Sequence, residues 1–129
     1  MRDSRTFPHE PASVPEARRF ATTVLHGASA DTLEAVELMV SELATNCIRH
    51  TDSGFDLTII RSGSEIRVEA TDQAGGTPTM RSPKPTEPSG RGLKIIDMLS
   101  AGWGVDLGPD SGKTVWFTIS DSAAEPCPA

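Results

Sequence analysis

Between residues 33 and 47 the apolar side chains Leu33, Val36, Val40, Leu43 and Cys47 recur at intervals of 3, 4, 3 and 4. That spacing lines one face of an α-helix, here running from about residue 31 to 50 with Ser29 or Asp31 as its cap. A helix with one apolar face has to bury it against a second layer. Further along, the period changes. Asp56–Arg61 and Glu65–Thr71 are short β-rich runs joined at Ser62–Gly63–Ser64, which reads as a hairpin. Helix and sheet are therefore both present, and a purely helical bundle or an all-β sandwich is excluded.

The remaining segments fit around this pair. A short edge strand is expected near Thr6–Pro8. Ser13 followed by Glu16 reads as a capping box, with Pro15 in the first turn, for a helix that runs to about His26 and stops at Gly27. Residues 73–89 carry four prolines and no periodicity, a length and composition typical of a functional loop. A third helix follows the Gly90–Arg91–Gly92 turn and runs to about Ala101, and strands near Trp103–Leu107 and Thr114–Ser120 close the chain. The order β-α-α-β-β-loop-α-β-β predicts an α/β (α+β) two-layer sandwich, with a mixed, mainly antiparallel sheet and helices on one face. The 129 residues suit one domain, with a core over about residues 6–120 between polar ends.

Twelve Lys and Arg against eighteen Asp and Glu give a net charge of −6. Non-specific nucleic-acid binding needs the opposite sign, so no direct nucleic-acid partner is expected. No run approaches the ~18–20 apolar residues of a membrane span, and the first residues, MRDSRTFPHE, lack the apolar centre of an export signal. Two cysteines, Cys47 in a helical pattern and Cys127 in a Pro/Ala-rich end, form no disulfide framework. With His9, His26 and His50 they offer no zinc spacing either. A cytoplasmic protein is expected.

Three features carry candidate chemistry. Glu42 and Asn46 are four apart and share a helix flank about 110° from the centre of the apolar stripe. Glu can accept a proton from a hydroxyl, and an Asn carbonyl oxygen suits Mg²⁺. An ordinary solvated flank would look the same. Asp72 ends the run EIRVEATD just before Gly75–Gly76, placed to accept a hydrogen bond from an amine, or to form an Asx turn. Gly90–Arg91–Gly92 opens a helix, and free amides there attract phosphate. Gly108–Gly112–Lys113–Thr114 imitates a P-loop but is rejected. Only three residues separate its glycines, and it leads into a strand.

Taken in order, Glu42-x-x-x-Asn46, Asp72-x-x-x-Gly76, the long loop, Gly90-x-Gly92 and Gly112–Lys113–Thr114 resemble the GHKL ATPase superfamily of gyrase-type, chaperone and histidine-kinase ATP-binding domains. Length and the segment ELATNCIRH narrow the resemblance to its small stand-alone branch, the anti-sigma factor serine/threonine kinases of bacterial partner switching. The resemblance implies a Bergerat-type sandwich that binds ATP and Mg²⁺ beneath a lid formed by residues 73–89. By position, Glu42 would be the general base and Asn46 the Mg²⁺ ligand. Asp72 would bind the adenine amino group, and Gly76 would let the backbone pass the base. Gly90, Gly92 and neighbouring amides, Leu93 included, would hold phosphates, Arg91 would add charge beside them, and Thr114 would support the adenine pocket. The implied partners are a sigma factor and an anti-sigma antagonist protein, with the chain as a homodimer. The first glycine box departs from the family's Asp-x-Gly-x-Gly, because Ala74 replaces its first glycine. That departure motivates an alternative: a non-catalytic nucleotide-binding or nucleotide-independent module that sequesters a protein partner. The ATP-binding half of a split histidine kinase is a third reading.

Overall fold

The hairpin at Gly63 sets the register of the central strands. In the computed structural model, which describes residues 1–50, 53–72, 88–107 and 112–121 (and not the side chains of His50 and 88–93), Ser62 pairs with Glu65. Only Gly63 and Ser64 turn the chain, and Gly63 takes φ 64°, the left-handed value that tight two-residue hairpins require at their first position. The strands joined here are β2 (Phe55–Ser62) and β3 (Glu65–Asp72). With β1 (Arg2–Phe7), β4 (Gly102–Leu107) and β5 (Lys113–Ser120) they form a five-stranded sheet in the order β1-β2-β3-β5-β4. All four pairings are antiparallel.

Three helices are described: α1 (Ser13–Val24), α2 (Ala30–His50) and α3 (Pro88–Leu99). The central one, α2, packs on α1, on α3 and on strands β3 and β5. Its expected stripe is where the sequence places it: Val36, Val40, Leu43 and Cys47 are buried and Leu33 is partly so. They meet the inward residues of the sheet, Leu57, Ile59, Ile66, Val68, Ala70, Val115 and Phe117. At one end, Phe7 stacks on Phe55 with ring centroids 5.4 Å apart and meets the edge of Phe20 at 6.0 Å. These rings tie β1 and α1 to the core.

Several local expectations are corrected. Strand β1 is six residues long rather than a short piece at Thr6–Pro8, because its whole length pairs with β2, from Arg2 opposite Ile60 to Phe7 opposite Phe55. No capping box forms at Ser13. Its hydroxyl donates instead to the Pro8 carbonyl at 2.6 Å, and Ala12 stands at the N-cap without a side-chain bond. Helix α1 ends at Val24, ahead of Gly27, whose φ of 102° carries the turn into α2. Ser29, of the two proposed caps, takes the role for α2: its hydroxyl oxygen accepts from the Thr32 amide at 3.1 Å. Helix α3 starts at Pro88 and ends at Leu99, so Gly90–Arg91–Gly92 lie inside its first turns rather than ahead of it. Proline is well suited to such a start, since its fixed φ is helical and its missing N–H has no partner there anyway.

Two polar ties hold α2 at its ends. The Asp121 carboxylate, fully buried, accepts from the Ser29 amide at 3.1 Å and from the Arg61 guanidinium at 2.8 Å. Near the other end, His9 Nε2 lies 2.9 Å from the Ile48 carbonyl. This bond reaches the helix end from the loop between β1 and α1.

Candidate functional site

Helical geometry places the Glu42–Asn46 pair. Arg18 on α1 donates to the Ser41 hydroxyl at 3.2 Å, which fixes the flank of α2 that faces α1. At ~100° per residue, Ser41 and Asn46 are about 140° apart around the axis. Glu42 and Asn46 therefore lie on the flank turned away from α1, on the side where α3 packs. Both are half-buried, and one turn, about 6 Å of helix rise, separates them. The Asn46 Oδ1 is buried yet finds no hydrogen-bond donor among the described residues. Leaving a buried carbonyl oxygen without a donor costs about 1–3 kcal/mol. An oxygen held in that state is disposed to accept whatever positive or donating group enters beside it.

Asp72 is brought to the same helix. Along β3, Ile66, Val68, Ala70 and Asp72 alternate inward and all are buried, Asp72 being 1% exposed. This is a carboxylate at the end of an otherwise apolar strand face, over which the C-terminal half of α2 lies. Cys47, next to Asn46, registers the proximity. Burial pushes its thiol up from 9.0 to about 12, the negative charge of Asp72 adds to that, and the positive charge of Lys113 opposes it. Cys47 and Asp72 thus meet in the seam between α2 and the end of β3, with Asn46 next to Cys47 along the chain and Glu42 one turn before Asn46.

Thr114 is not brought into this seam. It pairs with Thr71, and the two hydroxyl oxygens are 2.8 Å apart on the sheet face that points away from the helices. The residue of β5 that faces Asp72 is Lys113, its direct cross-strand partner. Sequence reading passed over it, although a signal was present: Val115 and Phe117 point inward, so every second residue does, and Lys113 shares their parity. Gly90, Arg91, Gly92 and Leu93 are placed on the first turns of α3. Gly76, Ala74 and residues 73–87 of the expected lid lie outside the described residues, as does Cys127. No group of three or more His, Cys, Asp or Glu side chains able to hold a metal is found among the described residues. A cation at Asn46 would rely on that oxygen, water and ligand phosphate, which is the usual habit of Mg²⁺.

A sequence profile of the histidine kinase-like ATPase domain matches residues 7–119. The chain belongs to that family. The match takes in α1, α2, the whole of β2 and β3, and the seam just described. A comparison with curated proteins finds no match. Among solved structures, the fold is similar to SiaB–SiaC from Pseudomonas aeruginosa, with a TM-score of 0.59 at 14% identity over 91% of this chain and 88% of that one. It is similar to the histidine kinase domain of the blue-light activated kinase EL346 from Erythrobacter litoralis, with a TM-score of 0.58 at 24% identity over 90% of this chain and 62% of that one. It also resembles full-length ShkA, solved in complex with AMPPNP, with a TM-score of 0.57 at 19% identity over 88% of this chain. The chain spans only 30% of the length of ShkA. At these identities the likeness is one of fold. It agrees with the GHKL resemblance carried by the motifs. No helix among the described residues is long and apolar enough to cross a membrane.

Proposed function

We propose that this ATPase-fold chain binds Mg-ATP at the seam between α2 and β3 and transfers its terminal phosphate to a serine or threonine of an anti-sigma antagonist, holding a sigma factor inactive in its other state. The observation that carries the reading is the buried Asn46 oxygen, without a donor among the described residues and one helical turn from a carboxylate. A purely structural helix flank has no reason to retain that cost, whereas a cation-binding oxygen does. Membership of the histidine kinase-like ATPase family supports nucleotide use. The likeness to SiaB–SiaC, a two-protein complex, supports a protein partner.

In this reading Asn46 would hold Mg²⁺, which when bound neutralises phosphate charge. Asp72 would accept from the amino group of the base. Glu42 would take the proton of the acceptor hydroxyl as its oxygen bonds to the terminal phosphorus and the bond to the bridging oxygen of ADP breaks. The Gly90 amide, in the first turn of α3, would meet the phosphates with Arg91 beside it, whereas the amides of Gly92 and Leu93 lie far enough along the helix to bond within it. The protein's part is mainly positioning and charge. The homodimer and the lid role of residues 73–89 belong to the same proposal.

The test is calorimetry of ATP binding with and without Mg²⁺ on the full chain, followed by phosphate transfer to a candidate antagonist. Asn46→Ala should abolish the Mg²⁺ dependence of binding. Glu42→Gln should keep binding and lose transfer by about 100-fold or more. Equal transfer by the Glu42→Gln chain would remove it from the base role. Binding without transfer to any acceptor would leave the partner-sequestering module as the better account.

A further inference from the structure

Asp72 and Lys113 end neighbouring strands as direct cross-strand partners. By strand parity both side chains rise from the sheet face that α2 covers. The backbones are close as well: a Cβ on Gly112 would sit 3.3 Å from the Asp72 carbonyl oxygen. The end of the pocket assigned above to the base therefore presents an acceptor and a donor side by side, with the donor on a flexible four-carbon stem.

Such a pair has a chemical consequence for which purine enters. A carboxylate alone suits the amino group of a 6-aminopurine and repels the O6 acceptor of a 6-oxopurine. Sites built that way discriminate strongly, because the wrong base leaves buried polar groups without partners. An ammonium beside the carboxylate removes the conflict. With adenine, Asp72 accepts from the amino group and Lys113, on its flexible stem, turns aside into water. With guanine or hypoxanthine, Lys113 donates to O6 and Asp72 accepts from N1–H. Resting on the nucleotide reading above, we propose that Lys113 is a base-contacting residue which, with Asp72, lets this site accept 6-oxopurine nucleotides as well as ATP.

The experiment compares Mg²⁺-dependent binding of ATP, GTP and ITP to the full chain and to Lys113→Met, with thermal unfolding of both chains as a fold check. The wild type should bind GTP and ITP within about tenfold of ATP. Lys113→Met should weaken both 6-oxopurines by roughly 10- to 100-fold while changing ATP by a few-fold at most, the size expected for losing one specific base contact. ITP, which lacks the 2-amino group, makes the wild-type comparison decisive on its own should the variant fold poorly. ATP binding with GTP and ITP both more than about 100-fold weaker overturns the inference and leaves the nucleotide site standing. So does an unchanged selectivity ratio in Lys113→Met. If the wild type binds none of the three, the nucleotide reading itself falls and this one with it.

Discussion

Raising the pH puts the most informative strain on the seam. The Cys47 thiol is held at about 12 in the folded chain against 9.0 when exposed, chiefly by burial and then by the charge of Asp72. Between those values the unfolded chain has released the proton and the folded chain has not. The unfolded state binds fewer protons there, so stability falls as pH rises. The contribution is absent below about pH 8 and grows at up to ~1.4 kcal/mol per pH unit above 9. From about pH 8 to about pH 10.5 the loss from this one group comes to about 2 kcal/mol. Urea unfolding of the nucleotide-free chain at both pH values, beside Cys47→Ala, isolates it. The substitution lowers stability at both, through the cavity it leaves, but should remove about 2 kcal/mol of the pH-dependent difference. The chain contains no tyrosine, so Cys127, the α-amino group and the lysines, all common to both chains, are the other groups titrating in this window. An equal loss in both chains would refute the burial of the thiol beside Asp72.

Three further outcomes are expected. A Cβ at Gly54 would collide with the Phe7 carbonyl, so Gly54→Ala should cost roughly 2–3 kcal/mol in urea unfolding by forcing β1 from β2. Asp121→Ala removes the buried acceptor shared by Arg61 and Ser29. With Arg61 partly hydrated already at 21% side-chain exposure, the cost should be near the lower end for a broken buried pair, about 3 kcal/mol by calorimetric or urea unfolding. Leu43→Ala, at 1% exposure between α2 and the sheet, should cost about 2–5 kcal/mol in the same assay without altering the wild-type preference among nucleotides.

What could be read in advance follows the strength of the repeating pattern. The stripe of α2 and the alternation of β3 each repeat over many residues, and each placed its core side chains. Strand β1 was shortened because only Phe7 of its six residues is buried; pairing with β2 defines it, and pairing leaves no mark in its own residues. Ser13 and Glu16 satisfy a capping rule locally, but the Pro8 carbonyl, brought close by the loop before α1, captures the hydroxyl first. Of the candidate site, the sequence pattern puts Glu42 and Asn46 on one flank of α2 and Asp72 at the end of β3, and the structure has them there. Thr114 stands on the sheet face turned from the helices, and Lys113 on the face that α2 covers. The motif matched residue types in order, whereas the sheet assigns a residue to the pocket by odd or even position, a count that the inward Val115 and Phe117 already contained.

The ties at the two ends of α2 also bear on movement. The helix is about 30 Å long and is secured near its start by Asp121 through Ser29, and near its finish by His9 through Ile48. It behaves as an axle seated in two bearings: sliding along its length breaks both, while neither restrains what lies beside it. Both bonds therefore oppose sliding of α2 past the end of β3, where Asp72 stands. Helix α3 is joined to β4 by Trp103 Nε1, which donates to Asp97 at 2.8 Å. Trp103 is therefore a built-in reporter: its fluorescence should respond to any movement of α3 on occupancy of the seam.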